Sequence, residues 1–176
     1  EEEHLCKVLR VIRHDYQTAC TNKLGKYYHD VPEECATLCP EYLQRLARVG
    51  EAIKVNQRAL RLLTETHVDE DTCEEQVEEE ALFVENCKSM LRQLVREWSV
   101  EGQEERKVYM WIVERARQYL PSGGSVLVPG AGLGRLPWEL AKCGFAVQGN
   151  EFSNFMLLPS EHILNHLHTP FPIHPF

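Results

Sequence analysis

Residues 125–151 read SVLVPGAGLGRLPWELAKCGFAVQGNE, and strand, turn and helix signals follow one another in this stretch. Ser125 to Pro129 is a short valine-rich run, the kind that sits in a parallel strand covered on both faces. Gly130, Gly132 and Gly134 come next, and Leu136 to Cys143 is compatible with a helix. Glycines at such a junction remove Cβ atoms, so the backbone can turn sharply and a nucleoside or phosphate can approach the helix N-terminus. Phe145 to Gln148 predicts a second strand, and Glu151 stands just past its end. In nucleotide-binding βαβ units an acidic residue about 20 positions after the first glycine accepts hydrogen bonds from ribose hydroxyls, and Glu151 has that spacing from Gly130.

The glycine spacing separates two nucleotide readings. The dinucleotide fingerprint G-x-G-x-x-G/A, counted from Gly130, needs a small residue at position 135 for close packing of helix on strand. Arg135 stands there. The third glycine falls at Gly134, giving G-x-G-x-G, the form common in class I S-adenosylmethionine-dependent methyltransferases. An NAD-linked oxidoreductase of Rossmann type is therefore the second reading.

With 176 residues the chain is long enough for one domain with a proper core, or a helical domain plus part of another. A net charge of -8 and a pI near 5.5 argue against a nucleic-acid surface, which needs a basic patch. No apolar run reaches the roughly 18 residues of a membrane span, and EEEHLCK is not a signal peptide. The expected compartment is cytosolic or nuclear. Cys6, Cys20, Cys35, Cys39, Cys73, Cys87 and Cys143 are odd in number and scattered, which fits reduced thiols better than a disulfide framework. The absence of an initiating Met and an end at Phe176 in mid-pattern point to a fragment.

The first helix is expected over Glu1 to Leu24, with Leu5, Val8, Leu9, Ile12, Tyr16 and Ala19 on one face. Gly25 to Pro40 reads as a connection. A second helix is expected from about Pro40 to Thr66, with Leu43, Leu46, Ile53, Leu60 and Leu63 inward and a weak point at Gly50. The acidic run Glu65 to Glu80 lacks the ligand spacing of an EF-hand loop and reads as a solvated linker. Ala81 to Ser99 predicts a helix with Cys87, Leu91, Leu94, Val95 and Trp98 on one stripe and Ser89, Gln93 and Arg96 opposite. A further helix is expected over Glu104 to Leu120, with Val108, Ile112, Ala116 and Tyr119 or Leu120 inward, ended by Pro121-Ser122-Gly123-Gly124. Phe152 to Leu167 reads as a helix that Pro159 kinks or breaks, and the tail from Thr169 as irregular.

No metal site is expected. His162 and His166 share a helix face but lack the HEXXH arrangement, and read as a surface or interfacial pair. Cys35 and Cys39 have no partner pair at zinc-finger spacing. No Ser-His-Asp arrangement can be argued, since G-x-S-x-G is absent.

At VLVPGAGLGRLPWELAKCGFAVQGNEFSNFMLLPSEHILN the chain resembles the carnosine N-methyltransferase family, whose members carry a VPGAGLGRL turn, a QGNE strand end and an FML helix. Pro129 stands where most class I methyltransferases have an acidic residue, and LVREWS at Leu94 to Ser99 is similar to the family's segment before its nucleotide domain. The resemblance implies an α/β fold: an N-terminal all-helical region, 1–121, that lids the site, then at 122–176 the first βαβα part of a Rossmann-like class I methyltransferase domain. It implies transfer of a methyl group from S-adenosyl-L-methionine to an imidazole nitrogen of carnosine, giving anserine. Histidine in other peptides or proteins is a further acceptor, and a homodimer an allowed assembly. Nucleic-acid and membrane partners are not expected. Carried over by position, Gly130 and Gly132 lie against the cofactor and Glu151 binds its ribose. On the residues alone Gln93 and Arg96 are ordinary solvated positions; the resemblance makes them a cofactor-contacting pair, with Arg96 suited to the methionine carboxylate. The family's carnosine-binding residues lie further downstream, so this chain is expected to bind cofactor weakly and not to turn over. A non-catalytic helical interaction fragment is the remaining alternative.

Overall fold

The computed structural model describes residues 2–29, 39–70 and 80–174. Two compact units are present, one of Glu1–Lys88 with Pro170–Phe176 and one of Ser89–Thr169. This division follows compactness, whereas a boundary at 121/122 follows the change from helices to strands.

In the first unit, helix α1 (Glu2–Arg10) runs through a π-helical turn, Val11–Asp15, into α2 (Tyr16–His29). Val8, Leu9, Ile12 and Tyr16 are buried along it as the three-and-four spacing predicts, joined by Val11 and Cys20, while the expected Leu5 and Ala19 are half-buried. The helix does not stop at Leu24 but passes through Gly25. Helix α3 (Pro40–Leu62) starts on Pro40, where a missing N–H costs nothing. It also passes through its weak point: a Cβ on Gly50 would meet Leu24 Cδ2 at 3.5 Å, so the glycine lies where α2 and α3 pack.

The π-turn explains the polar residues of this core. Widening the helix shifts its backbone pairing, and the carbonyls of Ile12 and Arg13 accept the Gln57 side-chain amide at 2.9 and 2.8 Å. Gln57 Oε1 takes the Gln17 N–H at 3.0 Å, and Arg61 reaches the Arg13 carbonyl at 3.0 Å. Arg13 is itself buried and donates to Thr64 Oγ1 at 3.2 Å. Asn56 pairs with the backbone of His174, donating to its carbonyl and accepting its N–H, both at 2.7 Å. The expected inward set of α3 thus lacked Asn56, Gln57, Ala59 and Thr64. Among the described residues Cys6, Cys20, Cys39, Cys87 and Cys143 are thiols rather than disulfides, and burial pushes the Cys87 thiol well up. Cys35, Cys73 and most of the acidic run lie outside the described residues.

Helix α4 (Glu80–Trp98) carries the chain into the second unit, which continues with α5 (Lys107–Tyr119), β1 (Ser125–Pro129), α6 (Arg135–Lys142), β2 (Ala146–Asn150) and α7 (Asn154–Asn165). Strands β1 and β2 pair in parallel from Ser125 opposite Ala146 to Pro129 opposite Asn150. Val113, Val128, Leu140 and Phe145 form its core, with Ala116, Val126, Leu136 and Val147 packed against them. Both α5 and α6 therefore cover one face of the sheet. The other face is open: Leu127 is 62% exposed, so the valine-rich run is not covered on both sides. The inward line of α5 also differs from expectation, because Val113 is its buried residue and Val108 and Tyr119 are exposed. Helix α7 is unbroken at Pro159. The ring removes one helical donor, but Phe155, Leu158, Pro159, His162 and Ile163 are all buried, and that apolar packing holds the helix across the gap. No helix among the described residues is long and apolar enough to cross a membrane.

Candidate cofactor site

The glycine turn between β1 and α6 is built on backbone conformations that side chains resist. Gly130, Gly132 and Gly134 have φ of 62°, 58° and 81°, the left-handed region that favours glycine. The Ala131 N–H bonds the Asn150 carbonyl at 2.9 Å, extending the strand pairing into the turn. Gly134 closes it as the residue before α6. A Cβ there would stand 2.8 Å from both Leu164 and Ser160, so this glycine lets α7 lie against the turn. A Cβ on Gly130, in contrast, would meet nothing within 4 Å. The turn is thus packed at its end and open at its start.

Glu151 sits across the turn at the end of β2. Its Oε2 accepts the Gly132 N–H at 2.9 Å, and its Oε1 accepts the N–H groups of Phe152 and Ser153 at 2.8 and 2.9 Å. A carboxylate has about four acceptor positions, so capacity for a further hydroxyl donor is left. Phe152 beside it is 98% exposed and presents an aromatic face that could stack on a base.

The last two turns of α4 deliver Gln93, Arg96 and Glu97 to the same place. A Cβ on Gly132 would lie 3.1 Å from Glu97 Oε1 and 3.5 Å from Gln93 Nε2. Gln93 donates to Glu97 Oε1 and accepts from the Arg96 guanidinium. This turn of helix is firmly held. Gly102 packs so closely that a Cβ would overlap the carbonyls of Val95 and Arg96, and Arg106 caps the helix end through the Ser99 carbonyl at 2.6 Å. The Trp98 indole donates to the Leu133 carbonyl at 3.1 Å inside the glycine turn.

Arg135 accounts for the large side chain at the position where a dinucleotide turn needs a small one. Its guanidinium lies over the rings of Trp98 and Trp138, 4.9 and 4.7 Å from their centroids, and pairs with Glu139 at 2.6 Å. It is spent on joining α6 to α4.

Gln93, Arg96, Gly132 and Glu151 thus converge, with Gly130 at the open edge. Sequence reasoning missed Glu97, which is 2% exposed and whose carboxyl pKa is raised by burial, partly offset by donors from Gln93 and Arg135. It sits on the same helix as Gln93, four positions on, and that spacing was its only sequence signal. Phe152 was also missed. The histidine pair differs from expectation: His162 is buried and only His166 is exposed, their rings 5.9 Å apart. The physical reason is that His162 falls on the apolar face of α7. No cluster of metal-binding side chains occurs among the described residues.

A parallel β–α–β unit with a glycine turn and a carboxylate at the second strand end places this unit in the α/β class. The chain belongs to the carnosine N-methyltransferase family, whose model, described as carnosine N-methyltransferase, matches residues 73–176. Among its relatives, the carnosine N-methyltransferase of Mus musculus is 33% identical over 183 residues, covering 94% of this chain and 46% of the mouse protein. That of Schizosaccharomyces pombe is 37% identical over 136 residues, covering 70% of this chain and 36% of the yeast protein. The Drosophila melanogaster protein named carnosine N-methyltransferase unmet is 42% identical over 93 residues, covering 49% of this chain and 20% of the fly protein. The chain spans about half the length of the mouse relative it matches, or less.

Proposed function

We propose that this chain carries the cofactor-binding part of a carnosine N-methyltransferase, which moves a methyl group from S-adenosylmethionine to an imidazole nitrogen of carnosine and so makes anserine. Membership of the family supports the reaction. The observation that carries the cofactor is the convergence on Gly132 of Gln93 and Glu97 and of Glu151. On this reading β1, α6, β2 and α7 are the opening of a Rossmann-like methyltransferase domain.

The donor set fits the cofactor piece by piece. Gly130 leaves open space beside the turn, where the nucleoside can approach the backbone. Glu151 offers its remaining acceptor capacity to the ribose hydroxyls, and Phe152 an aromatic face to the base. Arg96, exposed at the end of α4, takes the methionine carboxylate through its remaining N–H groups. When bound, S-adenosylmethionine supplies a methyl group already activated by its sulfonium. The protein then has to align the acceptor and exclude water. Imidazole, with a reference pKa near 6.5, is mostly neutral at about pH 7, so little base catalysis is needed.

Equilibrium dialysis with labelled S-adenosylmethionine tests the reading. The chain is expected to retain label that S-adenosylhomocysteine displaces and NADH does not; displacement by NADH alone would favour the dinucleotide reading instead. Adding carnosine tests the second half. Anserine formation above that of a Glu151→Gln variant supports acceptor chemistry in this chain, and its absence with label retained confines the chain's role to the cofactor.

A further inference from the structure

Glu97 is a buried carboxylate, 2% exposed. Taking a carboxylate out of water is unfavourable unless donors replace the lost hydration, and this one has gathered several. Its Oε1 accepts from the Gln93 amide and from the Tyr109 hydroxyl at 3.4 Å. Its Oε2 accepts the Arg135 backbone N–H at 3.3 Å. The first of these contacts lies beside Gly132 and the last at the first residue of α6. One carboxylate therefore joins the helix bearing Gln93 and Arg96 to the middle and the far end of the glycine turn.

The chemistry of the Gln93 contact has a directional consequence. A side-chain amide has one donor end and one acceptor end, and an ionised carboxylate can only accept. Glu97 thus obliges Gln93 to turn its NH2 inward and its carbonyl outward. That carbonyl holds the Arg96 guanidinium, which carries five N–H donors in all and so keeps capacity for a further acceptor. Pro129, at the end of β1, brings no carboxylate of its own to this corner.

We infer that Glu97 is a positioning residue of the cofactor site, fixing Gln93 and through it Arg96 so that the site selects ligands bearing an amino-acid moiety over the bare nucleoside. This rests on the cofactor reading given above. The balance is purely one of binding; no bond is made or broken.

The test compares two ligands on one variant, with binding followed by calorimetry. S-adenosylhomocysteine carries the amino-acid end, and 5′-deoxy-5′-methylthioadenosine is the same thioether nucleoside without it. In Glu97→Gln the amide at position 97 no longer dictates the orientation of Gln93. Affinity for S-adenosylhomocysteine is expected to fall about tenfold, the scale of one charged hydrogen bond. Affinity for methylthioadenosine is expected to hold within about twofold. Equal losses for both ligands would make Glu97 a structural residue only and overturn the inference while leaving the cofactor reading intact. Unchanged affinity for both would overturn it as well. If the unaltered chain binds neither ligand, the cofactor reading falls and the inference falls with it.

Discussion

The backbone N–H of Gly132 donates to Glu151 Oε2 at 2.9 Å, so a single carboxylate ties the glycine turn to the end of β2. Its other oxygen takes the N–H groups of Phe152 and Ser153 just before α7 begins. Glu151 is thus a structural clasp, and on the proposed reading it is also the acceptor for the cofactor ribose.

Glu151→Ala strips the acceptor from three backbone donors. Urea unfolding is expected to show a loss of about 1 to 3 kcal/mol, the cost of leaving part-buried polar groups unpaired. Glu151→Gln keeps one acceptor oxygen and is expected to lose less stability, yet it should weaken S-adenosylhomocysteine and methylthioadenosine together, because both carry the ribose. A variant that weakens only the former would put Glu151 at the wrong end of the ligand.

Gly130 and Gly134 separate strain from space. Either alanine pays about 1 to 2 kcal/mol for a left-handed backbone. Gly134→Ala also drives a methyl to 2.8 Å from Leu164 and Ser160 and is expected to be the more destabilising in thermal melts. Gly130→Ala meets nothing and is expected to fold but to lose ligand, since its methyl occupies the open start of the turn. The reverse ranking would contradict the packing described.

Stability should respond to pH through Glu97. Burial raises its carboxyl above the ordinary value of 4.5, against the lowering effect of Gln93, the Arg135 N–H, Arg96 and Tyr109. In the window from 4.5 up to the raised value the folded chain keeps a proton that the unfolded chain has released. Stability therefore falls as pH rises through that window, and none of this contribution changes below it. Thermal melts of Glu97→Gln beside the unaltered chain are expected to show a difference that shifts in favour of the variant as pH climbs from 4.5 through that window and is constant above it, where the carboxylate is ionised in both states. A difference independent of pH would mean that burial does not raise the Glu97 carboxyl in the folded chain.

Much of the second unit was legible in the chain because strand, turn and helix signals stood side by side in residues 125–151, and local signals need no tertiary partner to be read. Gly130, Gly132 and Gly134 announced positive φ in the same way. Long-range pairing was not legible. Gln57 looks like a surface residue of α3 until the π-turn presents the carbonyls of Ile12 and Arg13 to it. Glu97 looks like a solvated acid until Gly132 and Arg135 close over it. Leu127 looked buried because its apolar character was read without knowing how many helices cover the sheet.

Gln57→Leu tests the π-turn directly. It fills similar volume but leaves the Ile12 carbonyl and the Gln17 N–H without their side-chain partner and the Arg13 carbonyl with Arg61 alone. A loss of at least about 2 kcal/mol is expected in urea unfolding. A neutral result would mean that the helix there can return to regular α pairing.

Cofactor binding at the glycine turn is the central proposal, and calorimetry of the chain with S-adenosylhomocysteine tests it most directly. Weak but saturable binding at one site is expected, diminished in Glu151→Gln and unchanged in Lys54→Gln, whose side chain is paired with Glu51 on the surface of α3. Absence of saturable heat, or equal losses in the two variants, would contradict it.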